Sequence, residues 1–193
     1  VDWRRFGRSL FGPDSVVFQG RDVVDFFKHL GWILGIAKEP RFERWSWWEK
    51  FDYWAVWWGL VIVGVTGLIL YNPVLTSDFM PGWMINVSLW IHRIESLLAM
   101  AHIFTIHYFI AHFRPRSFPF NATMFEGSKD IEELRKEYPA WIERLEKEGG
   151  LAARLVPAAS MPVRVFHFVT GYALIFLGIY LLIFSIANLS LLT

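Results

Sequence analysis

Two histidines on one long apolar stretch are the residues of this chain best suited to chemistry. His92 and His107 lie fifteen residues apart within residues 83–113. On an α-helix that separation is roughly 22 Å along the axis and about 60° around it, so the imidazoles share a face. Ionisable groups inside a membrane are costly and by default functional. Because imidazole is a good axial ligand of haem iron, the spacing predicts two iron-binding positions near opposite sides of a bilayer; the alternative is a pair of helix–helix hydrogen bonds.

The remaining histidines have more than one interpretation. His102 lies about 80° from His92 around the same helix, where it packs beside a porphyrin, bonds a neighbouring helix or ligates iron. His112, at the end of that stretch, contacts a propionate, contacts a quinone or is simply solvated. His167 opens the last apolar stretch and is a candidate second ligand for the iron at His107. His29 is expected at the surface or against a propionate.

Two charged residues accompany His92. Glu95 follows one turn later on the same flank of the helix. There it orients either the imidazole of His92 or a cationic side chain that pairs with a haem propionate. Arg93 is the candidate for that cation. The alternative is an ion pair between Arg93 and Glu95 at the membrane interface. We therefore predict both residues to be part of the cofactor site.

Composition places the chain in the membrane class. Of its 193 residues, 54% are hydrophobic and 18% aromatic, and the apolar residues are concentrated in blocks. It has no cysteine, which excludes disulfides, covalently attached haem and cysteine-ligated iron–sulfur clusters. The net charge of +1 gives no indication of nucleic-acid binding. Residues 1–20 lack the apolar core of a cleavable signal peptide.

The apolar blocks predict three transmembrane helices, at residues 54–71, 83–113 and 165–193. Nine of the nineteen Lys and Arg residues lie in residues 1–50 and nine in residues 114–164. The positive-inside rule therefore predicts a multi-pass protein of the inner (cytoplasmic) membrane, with a cytoplasmic N-terminus and an outward C-terminus.

The predicted fold class is an all-α integral membrane helix bundle with additional amphipathic cytoplasmic helices. Residues 22–36 have an apolar face typical of a helix on a membrane or a partner, and residues 130–147 predict a charged helical pair broken at Pro139. We divide the chain into four parts: a cytoplasmic N-terminal segment (1–50), a two-span core (51–113), a charged cytoplasmic loop (114–160) and a C-terminal transmembrane helix (161–193).

Several stretches resemble a known family, the cytochrome b (gamma) subunits of respiratory formate dehydrogenases and related bacterial dihaem cytochrome b subunits. Together they cover residues 21–147. The matching stretches are WEKFDYW at 48–54, VTG at 65–67, IHRIE at 91–95, IHY at 106–108, MFEG at 124–127 and YPAWI at 138–142.

This resemblance implies haem b, with His92 as a ligand of an outer haem and His107 of an inner haem. It also implies a quinone site beside the inner haem. The family pattern separates the two histidines by fourteen residues rather than fifteen, which predicts a distorted turn between them. The family's two earlier spans, which supply the opposite ligands, have no counterpart upstream of Trp54. One or two haems, shared with a partner chain, are therefore expected.

Three functions compete. The first is a haem-containing subunit of a quinone-linked oxidoreductase complex that exchanges electrons between quinone and a multihaem cytochrome or iron–sulfur partner. The second is a haem-poor structural anchor of a redox complex. The third is a transporter component with a histidine proton relay. The sequence favours the first, because the histidines follow one face with no chain of acidic residues between them.

Overall fold

The computed structural model describes residues 10–109, 114, 118, 121 and 123–188, and all regular elements within those ranges are helical. The first five are α1 (Gly20–Ile33), α2 (Trp47–Tyr71), the short α3 (Pro73–Ser77), α4 (Gly82–His102) and a π-helical turn (Ile103–His107). The others are α5 (Thr123–Glu126), α6 (Ile131–Glu137), α7 (Pro139–Lys147), a 3-10 turn (Ala152–Arg154) and α8 (Met161–Ala187). The all-helical prediction is confirmed for the described ranges.

Local signals explain where the helices begin. Before α2, the backbone N–H of Ser46 donates to Oε2 of Glu49 over 2.9 Å in a capping box. Pro73, which cannot continue a helix, follows α2, and Oδ1 of Asn72 caps α3 by accepting from the N–H of Leu75. Pro139 separates α6 from α7, so the predicted break in the charged pair is confirmed.

Two of the three predicted spans, α2 and α8, are long and apolar enough to cross a membrane. Only 11% and 6% of their most apolar windows are buried inside the protein, whereas a core helix of a soluble protein would be mostly buried. This suggests a membrane protein. The described part of the second predicted span is not among these candidates, because polar and charged residues such as Arg93 and Glu95 lower its hydropathy.

Helix α2 packs along α4, and the short α3 connects them, so the two long helices form an antiparallel hairpin. Helix α8 packs against α5. Helix α1 packs against α2 through Asp22, which is buried, and leaves most of its apolar side chains exposed, as predicted for an amphipathic helix. The hairpin therefore places the histidines of α4 and of the π-turn against α2.

Candidate functional site

Near each end of the hairpin, one side chain of α2 contacts histidine. Thr66, near the C-terminal end of α2, contacts His92, while Asp52, near its N-terminal end, contacts His102 and His107. Fourteen residues of α-helix between Asp52 and Thr66 span roughly 21 Å. The two positions predicted from the sequence therefore lie at opposite ends of one helix pair.

At the first position, Oγ1 of Thr66 lies 2.8 Å from Nδ1 of His92. The same hydroxyl lies 2.7 Å from the carbonyl oxygen of Ile62, to which it donates its single hydrogen. It therefore accepts from Nδ1–H of His92, and the neutral imidazole keeps its lone pair on Nε2. Gly67 lies against the ring, since a Cβ built there would lie 3.4 Å from Cε1 of His92.

At the second position, one carboxylate binds two imidazoles. Oδ2 of Asp52 lies 2.8 Å from Nδ1 of His107, and Oδ1 lies 2.9 Å from Nε2 of His102. Since a carboxylate only accepts, both rings donate an N–H to it. His107 therefore keeps Nε2 for a ligand, whereas the Nε2 of His102 is occupied. The exposed fractions agree, because the side chain of His107 is 40% exposed and that of His102 only 13%.

The π-turn Ile103–His107 makes this double contact possible. Residues five apart on an α-helix point about 140° away from each other. In a π-turn the backbone hydrogen bonds join residues i and i+5. The N–H of Tyr108 donates to the carbonyl of Ile103 in this way. Residues five apart, such as His102 and His107, therefore lie on one face. The turn also absorbs one extra residue. The predicted distortion between His92 and His107 is thus present. It gives these two histidines, which are fifteen residues apart, the relative orientation that residues fourteen apart have on a regular α-helix.

These donors fit haem iron. A ligating histidine commonly donates its other ring N–H to a carboxylate, carbonyl or water, which fixes the tautomer and the ring orientation. Nδ1 of His107 is held in this way by the carboxylate of Asp52, and Nδ1 of His92 is held by the hydroxyl of Thr66. Neither Nε2 has a hydrogen-bond partner within the described part of the chain. No group of three or more potential ligands for a bare metal ion occurs in those residues. Porphyrin-bound iron needs only one or two axial ligands from protein.

Arg93 and Glu95 are not paired with each other in the described structure. The guanidinium of Arg93 lies 5.9 Å from the ring centroid of Trp90. The carboxylate of Glu95 packs on α2, where a Cβ built at Gly59 would lie 3.5 Å from Oε1. Glu95 therefore faces α2 between the two histidine positions, while Arg93 remains a prediction as a propionate contact.

His167 and His29 contact residues other than Asp52. His167 is buried, its Nδ1 is 3.2 Å from Oε1 of Glu126, and its ring stacks on Phe125. It is held by α5, and its role as an iron ligand stays a prediction. His29 packs among aromatic rings, closest to Trp48 at 4.6 Å between centroids. His112 lies outside the described residues.

Sequence reasoning gave no role to Asp52 or Thr66, although both lie within stretches that it identified as characteristic. A signal was available. Asp52 is the one acidic residue between Glu49 and Tyr71, and it precedes Thr66 by fourteen residues, one fewer than the fifteen that separate His92 from His107. Only the antiparallel packing of α2 and α4 shows that the two pairs face each other.

A polar layer joins α1, α6 and α7 to the start of α2. Nζ of Lys50, a fully buried residue, lies 2.8 Å from Oδ2 of Asp22. The hydroxyl of Tyr138 donates to Oε1 of Glu49 over 2.5 Å, and burial beside this carboxylate raises the pKa of Tyr138. This layer covers the end of the hairpin that holds Asp52.

Within this layer Glu137 is buried and accepts hydrogen bonds from Arg114 and Lys129. Burial alone would raise the pKa of Glu137, but the two cations outweigh it and hold that pKa below its ordinary value. Glu137 is therefore expected to stay ionised at neutral pH and to connect α6 to residues 114 and 129.

Comparison with known proteins gives a distant match. The chain is 24% identical over 128 residues to the cytochrome b556(Fdn) subunit of the nitrate-inducible formate dehydrogenase of Escherichia coli K12. The corresponding subunits of Escherichia coli O157:H7 and Shigella flexneri match equally. The alignment covers 62% of this chain and 57% of the relative's length. No family model and no solved structure matches significantly. The similarity suggests a respiratory electron-transfer membrane subunit.

Proposed function

We propose that this chain is a haem b-binding membrane subunit of a respiratory complex and transfers electrons between quinone and a partner redox protein. One observation carries the proposal. His92 and His107, at opposite ends of one helix pair, each have Nδ1 held by a side chain of α2, and neither Nε2 has a hydrogen-bond partner in the described part of the chain. The distant similarity to a cytochrome b556 subunit supports it.

The chain's own residues would hold and orient the cofactor. Nε2 of His92 and Nε2 of His107 are the axial donors, and Thr66 and Asp52 fix the two rings. Gly67 keeps the edge of His92 uncrowded. Haem b supplies one-electron transfer when it is bound. Arg93 is proposed to neutralise a propionate near His92.

The opposite ligands must come partly from elsewhere. Among the histidines that the structure describes, no second one contacts the Thr66 end of the hairpin, so a further membrane chain or further residues would supply that ligand. His167 is the proposed second ligand at His107, with Nε2 as the donor and Nδ1 held by Glu126. The redox partner is proposed to be a multihaem cytochrome or an iron–sulfur subunit.

The sidedness of the site follows from the distribution of cations. We assign the N-terminal segment, the loop at residues 114–160 and the Asp52 end of the hairpin to the cytoplasmic side of the inner membrane. The quinone would bind at this end, where His107, His112 and Arg114 follow one another in sequence and supply hydrogen-bond donors at the edge of an apolar region. Electrons would then cross most of the membrane between quinone and the outward partner.

The test is a reduced-minus-oxidised visible spectrum of the protein purified from its native membrane together with the chains that accompany it. We expect b-type bands. His92→Ala should remove one haem and His107→Ala the other, as measured by pyridine haemochrome assay on variants that retain the accompanying chains. His29→Ala, a histidine outside the hairpin, is the control.

A spectrum without b-type bands would overturn the proposal and favour a haem-poor structural anchor. Full haem content in both the His92 and the His107 variants would show that the ligands are wrongly assigned. To test the quinone site, we would compare the binding of a quinone-analogue inhibitor to His112→Ala and Asn72→Ala. Weaker binding in the Asn72 variant alone would place the site at the opposite end of the hairpin.

A further inference from the structure

The carboxylate of Asp52 has both oxygens engaged by imidazoles from the same stretch of chain. Oδ2 accepts from Nδ1 of His107 at 2.8 Å and Oδ1 from Nε2 of His102 at 2.9 Å. The side chain of Asp52 is only 15% exposed, which limits competition from water. Two acceptor bonds on different oxygens fix the plane of the carboxylate, and that plane in turn fixes the imidazole of His107.

We propose that Asp52 is the positioning residue of the haem held by His107, and that it lowers the reduction potential of that haem. The inference rests on the proposed function. A hydrogen bond from an imidazole N–H to a carboxylate makes the other ring nitrogen a stronger donor. A stronger donor stabilises the ferric state relative to the ferrous state, so the reduction potential falls.

The hydrogen-bond acceptors of His92 and His107 differ in charge, so the proposed effect on potential applies to the haem at His107. The acceptor at His92 is the neutral hydroxyl of Thr66, whereas the acceptor at His107 is a carboxylate. Bonds to ionised acceptors are roughly twice as strong as neutral ones. The His107 ring is therefore the more strongly polarised, and this bond lowers the potential of its haem more than the Thr66 bond lowers that of the haem at His92.

His102 bonds the neighbouring helix α2, which is one of the three interpretations that the sequence left open. Its Nε2, the usual ligating nitrogen, is occupied by Asp52, and its side chain is 13% exposed. The π-turn brings it onto the same face as His107. His102 thus anchors the carboxylate and is not itself an iron ligand.

The experiment is a redox titration, followed by visible and electron paramagnetic resonance spectra, of Asp52→Asn in the intact complex. The amide keeps the shape and removes the charge. We expect an upward shift of the midpoint potential of the haem assigned to His107, a changed resonance spectrum for that haem and no shift of the other. His102→Gln should shift the same haem by less, and Asp52→Glu should restore part of the wild-type potential.

Asp78→Asn is the matched control, because it makes the same change at an exposed position beyond α3 and should shift neither potential. If Asp52→Asn loses the haem, the test rests on His102→Gln, in which a small upward shift of the same haem supports the inference and an unshifted potential overturns it. Wild-type b-type bands with an unshifted potential in Asp52→Asn overturn this inference alone, as does loss of an axial ligand in His102→Gln. Absence of b-type bands from the wild type overturns the proposed function and this inference with it.

Discussion

The hydroxyl of Thr66 and Nδ1 of His92 lie 2.8 Å apart, across the interface of the two helices that form the hairpin. Because the hydroxyl donates to Ile62, it must accept from the imidazole, and this leaves Nε2 of His92 unprotonated in the neutral ring. A single helix–helix hydrogen bond thereby selects the tautomer that can bind iron. The same relation, with a carboxylate as acceptor, occurs at the other end of the hairpin between Asp52 and His107.

The first prediction concerns this bond. Thr66→Val removes the acceptor at nearly constant volume, and it should weaken haem retention at His92 by about 10–100-fold, the usual effect of losing a partner of a metal-bound histidine. Haem retention against an apo-haem acceptor protein measures it. Thr76→Val is the control, since Thr76 is equally buried but bonds only to backbone carbonyls. Equal retention in the two variants would contradict the assignment.

The second prediction uses two glycines of α2. A Cβ at Gly67 would lie 3.4 Å from Cε1 of His92, whereas one at Gly64 would meet nothing within 4 Å. A Cβ at Gly67 would already be in contact with the ring, so the two additional methyl groups of Gly67→Val should displace the imidazole and lower the haem content at His92, and Gly64→Val should leave it unchanged. Pyridine haemochrome assay compares the two. An equal loss in both variants would point to general damage of the helix and contradict the prediction.

The third prediction concerns the π-turn, which accommodates one residue more than an α-helical turn. Deletion of Thr105 should convert the turn to α-helix and keep the haem at His107. Insertion of one alanine after Thr105 should turn His107 by about 100° and lose that haem. Both variants should keep the haem at His92. The same loss on deletion as on insertion would show that the turn does not set the register.

The fourth prediction concerns the buried pair of Asp22 and Lys50. Asp22→Asn or Lys50→Met leaves one buried charge without its partner and should cost about 3–5 kcal/mol of unfolding free energy. The double variant removes both charges and, because asparagine can still cap α1, should recover most of that loss. Unfolding in detergent mixtures, followed by tryptophan fluorescence, measures the cycle. Additive losses would mean that the two residues act independently.

The fifth prediction is a pH dependence. The pKa of Glu137 is held below its ordinary value of 4.5 by Lys129 and Arg114, in spite of burial. Because the folded-state pKa is lowered, the stabilisation is fully present well above pH 4.5 and is lost as pH falls through the folded-state value. Glu137→Gln should cost about 3 kcal/mol at neutral pH. The difference in thermal midpoint from the wild type should disappear in acid, and a difference that persists there would contradict the prediction.

The sequence alone determined the helical class and the charged pair broken at Pro139, and it supplied the histidines that we propose as iron ligands. These features depend on local patterns: apolar runs, helix-ending residues and the spacing of His92 and His107 along one helix. The extra residue between these histidines also indicated a distorted turn. Such signals need no knowledge of which helices become neighbours.

The tertiary structure decided which ring nitrogens remain available. Asp52 contacts His102 and His107 from 50 and 55 residues away, and Thr66 contacts His92 from 26 residues away. Hydrogen bonds of this kind depend on the depth and rotation at which α2 packs against α4, and no periodicity within either helix specifies those quantities. The distinction between His102 and His107 therefore arises only when the two helices pack together.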